Sequence, residues 1–295
     1  MKSGFVTLIG RPNVGKSTLI NSIVGKKVAI TSNKPQTTRN IIQGIYNDSD
    51  SQIVFVDTPG IHKPTHKLGK TLNKQAYYSI NDVDVIMMLI DGSEPLGPGD
   101  KYIIETLKEV KKPVILIINK IDKMDKEKIL LKIDEYKDLH NFKEIIPLSA
   151  LKKNNVDTVI KVLKKYLTDS IKYYEDDMYT NKTIPFIVSE IVREKVFNLT
   201  EEEVPHSITC ITENIENKKD HFSINIAIIV DRDSLKKIII GKQGSKIKEV
   251  GIKARKEIEE LLGKKVYLDL FVKTIPKWRD KEKYLQEFGY NDFLE

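Results

Sequence analysis

Gly10-Arg11-Pro12-Asn13-Val14-Gly15-Lys16-Ser17 is the stretch that decides how the first half of this 295-residue chain folds. It fits G-x-x-x-x-G-K-[ST], which average residue frequencies would produce by chance in roughly 1% of chains this long. The setting is the one the pattern needs: an apolar run at 5–9 precedes it and a helical run at 17–24 follows. Glycines permit a tight loop whose N–H groups converge on phosphate oxygens, and the helix opening there adds the positive end of its dipole. Lys16 then reaches the β- and γ-phosphates, and the Ser17 hydroxyl is free to ligate Mg2+.

Outward from this loop, residues 1–172 alternate short apolar runs with longer amphipathic ones, and 4–9, 52–57, 83–91, 114–119 and 144–149 read as strands. The run DVIMMLID at 84–91 is continuously apolar rather than alternating, as in a strand covered on both faces. This predicts an α/β domain with a mainly parallel sheet, in which Met87 and Met88 are core.

Asp57-Thr58-Pro59-Gly60 ends the second of these strands, placing a carboxylate beside the phosphate loop, where it can hold Mg2+ through water. Between the two lies Pro35-Gln36-Thr37-Thr38-Arg39-Asn40, whose hydroxyls can close over the metal; sequence leaves Thr37 or Thr38 as the inward one. Asn119-Lys120-Ile121-Asp122 follows the strand at 114–118. An aspartate there accepts hydrogen bonds from N1–H and the exocyclic amine of guanine, a donor pair adenine lacks, so the motif selects GTP over ATP. Ser149-Ala150 stands where a backbone N–H can reach guanine O6.

GRPNVGKS, QTTRN, DTPG, NKID and LSA resemble, in this order, the five nucleotide motifs of the translation-factor-related GTPases. The resemblance implies that GTP or GDP is held by Gly10, Arg11, Pro12, Asn13, Val14, Gly15, Lys16, Ser17 and Thr18, then Asp57, Thr58, Pro59 and Gly60, then Asn119, Lys120, Asp122, Ser149 and Ala150. It implies Mg2+ on Ser17 and Thr38, with Asp57 acting through water and Thr37 the adjacent alternative. Lys16, Thr38, Asp57 and Gly60 carry the reaction in that reading. Position 61 is Ile, where Ras-like enzymes carry a water-orienting Gln. An aliphatic side chain cannot orient water, so slow intrinsic hydrolysis is expected, the water being held by backbone near Thr38 and Gly60, by a partner or by a cation. In GTPases of this kind an Asn at the place of Asn13 helps bind K+; capping of the loop is its other reading.

The second half is basic. Net charge is +7, and residues 232–256 hold nine Lys/Arg against two acids. Within them Gly241-Lys242-Gln243-Gly244 joins apolar 238–240 to a helix whose apolar positions are Ile247, Val250, Ala254, Ile258 and Leu261. Two glycines let backbone approach a sugar-phosphate chain, and the loop resembles the GXXG loop of a KH domain, which clamps about four nucleotides of single-stranded RNA. Candidate RNA-binding residues are Ile240, Gly241, Lys242, Gln243, Gly244, Lys246 and Lys248; a solvated lysine face is the plainer reading. A helix at 185–197, strands at 204–217 and 221–231, helices at 235–240 and 245–262 and a strand at 265–273 give the smaller α+β order of the type II form. Trp278 either packs the last strand or stacks on a base.

The charged, aperiodic YYEDDMYTNK stretch predicts a linker, giving a GTPase domain at 1–172, a linker at 173–184 and a type II KH domain with tail at 185–295. This pairing resembles the Era GTPases over essentially the whole chain. What the resemblance implies is binding of the 3′ end of small-subunit (16S-type) rRNA, assistance in small-subunit (30S) assembly, and peripheral contact with anionic membrane. An RNA-modification GTPase acting with a partner enzyme shares QTTRN and Asn13, and an RNA chaperone using GTP as a structural ligand is a third class. Lone Cys210 cannot form an intramolecular disulfide, which points to a reducing, cytoplasmic compartment. No apolar run approaches the ~18 residues of a spanning helix, no signal pattern opens the chain, its five His lack metal-ligand spacing, and a monomer is expected.

Overall fold

In the computed structural model, which describes residues 1–34, 37–61 and 63–291, the aliphatic runs of the first half become one six-stranded sheet. Its strands are β1 (Lys2–Gly10), β2 (Ile42–Asn47), β3 (Ser51–Asp57), β4 (Val85–Asp91), β5 (Val114–Asn119) and β6 (Glu144–Pro147), in the order β2-β3-β1-β4-β5-β6. Every neighbouring pair is parallel except β2 with β3. Helices α1 (Lys16–Val24), α2 (Lys67–Asn81), α3 (Pro98–Leu107), α4 (Lys126–Lys137) and α5 (Val156–Tyr166) connect them. Met87, Met88 and all aliphatics of β5 are buried, as strands covered on both faces require. Because β1 stands inside the sheet with β3 and β4 beside it, the carboxyl ends of the strands converge on one crevice, where such sheets bind ligands.

The antiparallel strand β2 is absent from the sequence reading. Its alternation is broken by Gly44, where a Cβ would fall 2.5 Å from Ile20 Cγ2, so only glycine lets α1 pack there.

The chain divides into Met1–Thr65 with Gly69–Asn181, and Lys182–Glu295 with His66–Leu68. The linker expected at 173–184 is therefore largely something else: through Asn181 it is a strap on the first unit. Buried Gln52 accepts the Tyr173 and Tyr174 N–H groups at 2.7 and 2.9 Å and donates to the Tyr174 carbonyl at 2.8 Å. Further along, Ile45 N–H donates to the Tyr179 carbonyl (3.0 Å), Thr180 bridges Gly44, and Gln43 N–H donates to Asn181 Oδ1 (3.0 Å). A polar segment with no period thus covers the free edge of β2 through backbone pairing, which hydrophobic patterning does not register.

The second unit orders α6 (Ile184–Leu199), β7 (Ile208–Asn217), β8 (His221–Val230), α7 (Asp233–Ile240), α8 (Ser245–Leu262), β9 (Lys265–Thr274) and α9 (Glu282–Glu287). Its sheet, β7-β8-β9, is antiparallel then parallel, matching the expected type II arrangement. The strand expected from 204 begins at Ile208, because Pro205–Ser207 forms a 3-10 turn at a residue that lacks an N–H. Core residues Val188, Val192, Ile226, Ile228, Val250, Ala254 and Ile258 join α6, β8 and α8. Trp278 is fully buried, donates from Nε1 to the Ser207 carbonyl (3.1 Å) and stacks on Tyr290, so it packs the module rather than a base. Among the described residues no helix is long and apolar enough to cross a membrane.

Gln52→Leu removes the polar atoms that hold the strap and leaves two backbone N–H groups unpaired, a cost of about 1–3 kcal/mol. Amide exchange at Tyr173 and Tyr174 should then accelerate by an order of magnitude or more while that of β5 is unchanged; protection retained at both tyrosines would show that the strap does not depend on Gln52.

Candidate functional site

The loop between β1 and α1 is shaped by what its glycines allow. Gly15 has φ +99°, and a Cβ there would fall 2.2 Å from Asn119 Nδ2. At Gly60 a Cβ would sit 2.8 Å from the Pro12 nitrogen, so glycine lets the turn after β3 press against the loop. Lys16, at the first turn of α1, is buried, and among the described residues its ammonium donates only to the Gly10 and Arg11 carbonyls, both at 3.3 Å. Burial pulls its pKa down to about 8 against the attraction of Asp57. A cation held this loosely in a dry site is matched to an arriving phosphate.

Beside it, Ser17 Oγ donates to Asp57 Oδ2 at 2.7 Å, lies 2.9 Å from Thr38 Oγ1, and Thr38 donates to the same carboxylate oxygen at 3.3 Å. Asp57 is wholly buried, which pushes its carboxyl pKa up despite Lys16. Among the described residues its Oδ1 has no hydrogen-bond partner. Three hard oxygens in mutual reach, one on a buried carboxylate with an unmet lone pair, fit Mg2+. Of the two threonines Thr38 is the inward one; Thr37 Oγ1 turns back to donate to the Lys34 carbonyl at 2.7 Å. Pro35 and Gln36, from the segment expected to close over the metal, and His62 lie outside the described residues. Thr58 faces the sheet, donating to the Leu8 carbonyl at 2.7 Å, so it fixes the turn instead of meeting nucleotide. Ile61 is buried in the core, and its N–H donates to the Gly10 carbonyl of the loop at 3.3 Å.

These groups open into a cleft of about 590 Å³ lined by 11–18, Thr38, Gly60, Asn119, Lys120 and Asp122. Thr31, Ser32, Asn33, Asp91, Glu94, Lys123 and Leu151 line it too and were not anticipated. The one available signal was at Asp91, a carboxylate closing an apolar strand at the ligand edge of the sheet.

Asn119 acts as a rivet. Its Nδ2 donates to the Val14 carbonyl (2.8 Å), and its Oδ1 accepts the N–H groups of Lys120 (2.8 Å) and Ala150 (3.0 Å). Ser149 N–H donates to the Asn154 carbonyl at 3.0 Å. Both N–H groups expected at guanine O6 are thus engaged by protein acceptors, and the contribution of Ser149 is its hydroxyl, which donates to Asp122 Oδ1 at 2.5 Å and aims the carboxylate. Arg11 is likewise a wall: its guanidinium pairs with Asp100 at 3.0 Å, at the start of α3. Asn13, at φ +65°, donates from Nδ2 to the Asn33 carbonyl at 2.7 Å.

In the second unit, Gly241, Gln243 and Gly244 have φ of +73°, +52° and +75°. A Cβ on Gly241 would press on Lys246 at 2.8 Å, whereas nothing lies within 4 Å of one on Gly244, leaving its backbone open to a ligand. Lys242, Gln243 and Lys248 are exposed, while half-buried Ile240 packs against the core and anchors the loop. Half-buried Lys246 backs the loop at Gly241.

Mg2+ bound at Ser17, Thr38 and Asp57 would neutralise charge building on the phosphates. Lys16 and the N–H groups of the loop supply the rest, and buried Asn119 with the more exposed Asp122 at the cleft lining supply the base site. Asp122→Asn exchanges an acceptor for a donor, so GTP affinity should fall about a hundredfold or more and preference should pass to XTP, whose C2 carries an oxygen. Competition of the two nucleotides for the variant checks this; retained GTP preference would place the base elsewhere.

Residues 5–120 match the family model described as 50S ribosome-binding GTPase, and 203–279 match the KH domain model. Among solved structures, Era of Aquifex aeolicus bound to GDP·AlF4− is 43% identical, covering 98% of this chain and 99% of its own, with a TM-score of 0.95. An Era complex with MgGDPNP and nucleotides 1506–1542 of 16S ribosomal RNA gives the same identity, coverage and TM-score. With that likeness running through both units, and with Lys16, Ser17, Thr38, Asn119 and Asp122 lining one cleft and buried Asp57 bonded to Ser17 and Thr38, this chain is a guanine-nucleotide- and Mg2+-dependent GTPase that belongs to the Era family.

Proposed function

We propose that this GTPase binds the single-stranded 3′ end of small-subunit rRNA through its KH module and assists assembly of the small ribosomal subunit, with GTP and GDP states controlling engagement. The observation that carries the reading is the Gly241–Gly244 loop: an open, left-handed backbone at the head of α8, with exposed Lys242 and Lys248 beside it. The Era relative bound to 16S nucleotides 1506–1542 supports the same ligand. In the first unit Thr38 lies 2.9 Å from Ser17, placed so that bound Mg2+ and the γ-phosphate would hold it and hydrolysis would release it, the usual chemistry of an order–disorder switch. We place the protein in the cytoplasm as a monomer, with peripheral contact to anionic membrane drawn by its net charge of +7. K+ is the cation we assign to Asn13, because buried Ile61 leaves no side chain at that position to orient water.

Gly244→Asp, which puts a carboxylate where backbone meets phosphate, should weaken binding of the 16S 3′-end RNA at least tenfold and leave GDP affinity intact. Binding equal to wild type, or no preference over a scrambled RNA, would reduce the basic face to solvated charge. GTP turnover should be faster in K+ than in Na+; equal rates would remove the cation from Asn13.

A further inference from the structure

Asp91 closes β4 next to the strand that ends in the guanine motif, and no motif includes it. Its Oδ2 lies 2.6 Å from Lys120 Nζ, and its Oδ1 accepts the Ser93 hydroxyl at 2.6 Å and the Ser93 N–H at 3.1 Å. Burial works to raise this carboxyl's pKa, yet the hydrogen bonds from Lys120 and Ser93 hold it below the usual carboxylate range, so it stays anionic. Lys120 Nζ also donates to the Asn13 carbonyl at 2.7 Å, which places the ammonium between a carboxylate and the phosphate loop. Both side chains are largely buried, at 25% and 14% exposure, so neither charge is well solvated without the other.

The turn carrying Asp91 is seated on the guanine motif itself. Gly92 N–H donates to the Asn119 carbonyl at 2.8 Å, and a Cβ on Gly92 would fall 2.6 Å from Met124 Sδ and 3.1 Å from Asn119 O. Lys120 meanwhile has φ +67°, a conformation a side-chain-bearing residue keeps only when its surroundings hold it.

We propose that Asp91 is a positioning residue for guanine-nucleotide binding: its carboxylate holds Lys120 extended across the cleft, so that the lysine stem walls the base site while the ammonium clamps the Asn13 carbonyl. The carboxylate thereby ties the base-reading turn to the phosphate-binding loop. Without it, a flexible four-carbon stem must be ordered each time nucleotide binds, and that entropy is charged against affinity. Glu94 and Lys123 also line the cleft but show no such pairing to Lys120.

Asp91→Asn keeps the shape and an acceptor for Ser93 while removing the charge, and Asp91→Glu restores the charge. Release of a fluorescent GDP from the full-length Asn variant should speed up about tenfold or more, and the Glu variant should recover most of the difference. In hydrolysis assays the loss should fall on KM rather than kcat, because the base site grips substrate and transition state alike. In a Lys120→Met background, adding Asp91→Asn should cost nothing further. Wild-type release by the Asn variant, an equal loss in the Glu variant, or the same added loss without Lys120 would each overturn the assignment and leave Asp91 as the acceptor of a surface turn.

Discussion

A buried lysine and a buried aspartate that the protein alone satisfies only in part are the constraint around which the first unit is arranged. Parallel pairing of β1 with β3 sets Leu8 against Asp57, which fixes the carboxylate relative to the loop that follows β1. Desolvation works against both charged forms, pulling Lys16 down and Asp57 up, and their mutual attraction offsets it incompletely. A phosphate oxygen for the ammonium and Mg2+ for the carboxylate complete what is missing. The glycines at 15 and 60 follow from the same need, since they let the base motif and the turn after β3 close on the loop.

Selectivity is built by a second layer that reaches the first through carbonyls of the phosphate loop. Asn119 reaches the Val14 carbonyl and Lys120 the Asn13 carbonyl, so groups near the base and groups near the phosphates share one loop. Asp122 is aimed by Ser149, a residue from the far side of the sheet edge. A wrong base would leave the Asp122 carboxylate without the donor pair it is aimed at, which is how a fixed site rejects adenine.

Much of this was legible because phosphate chemistry needs contiguous residues: GRPNVGKS, DTPG and NKID announce strand ends, loop and metal together, and the unbroken aliphatics of β4 and β5 announce a sheet covered on both faces. The helical spacing of Ile247, Val250, Ala254, Ile258 and Leu261 gave α8 in the same way. What sequence hid depends on partners distant along the chain. Tyr173–Asn181 looks like a linker until Gln52 and β2 are beside it. Ser149 and Ala150 look free to donate to a base until Asn154 and Asn119 take their N–H groups. Asp91 looks like a strand-ending turn until Lys120 reaches it.

If an uncompensated buried carboxylate is what prepares the site for Mg2+, then removing its charge should help the empty protein and harm the loaded one. Thermal unfolding of the full chain, nucleotide-free and with GDP plus or minus Mg2+, tests this directly for wild type and Asp57→Asn. The account predicts that the variant melts higher when nucleotide-free, by about 2–4 °C per kcal/mol gained, and loses the increment that Mg2+ adds to GDP. A variant that melts lower without nucleotide and keeps the full Mg2+ increment would contradict it.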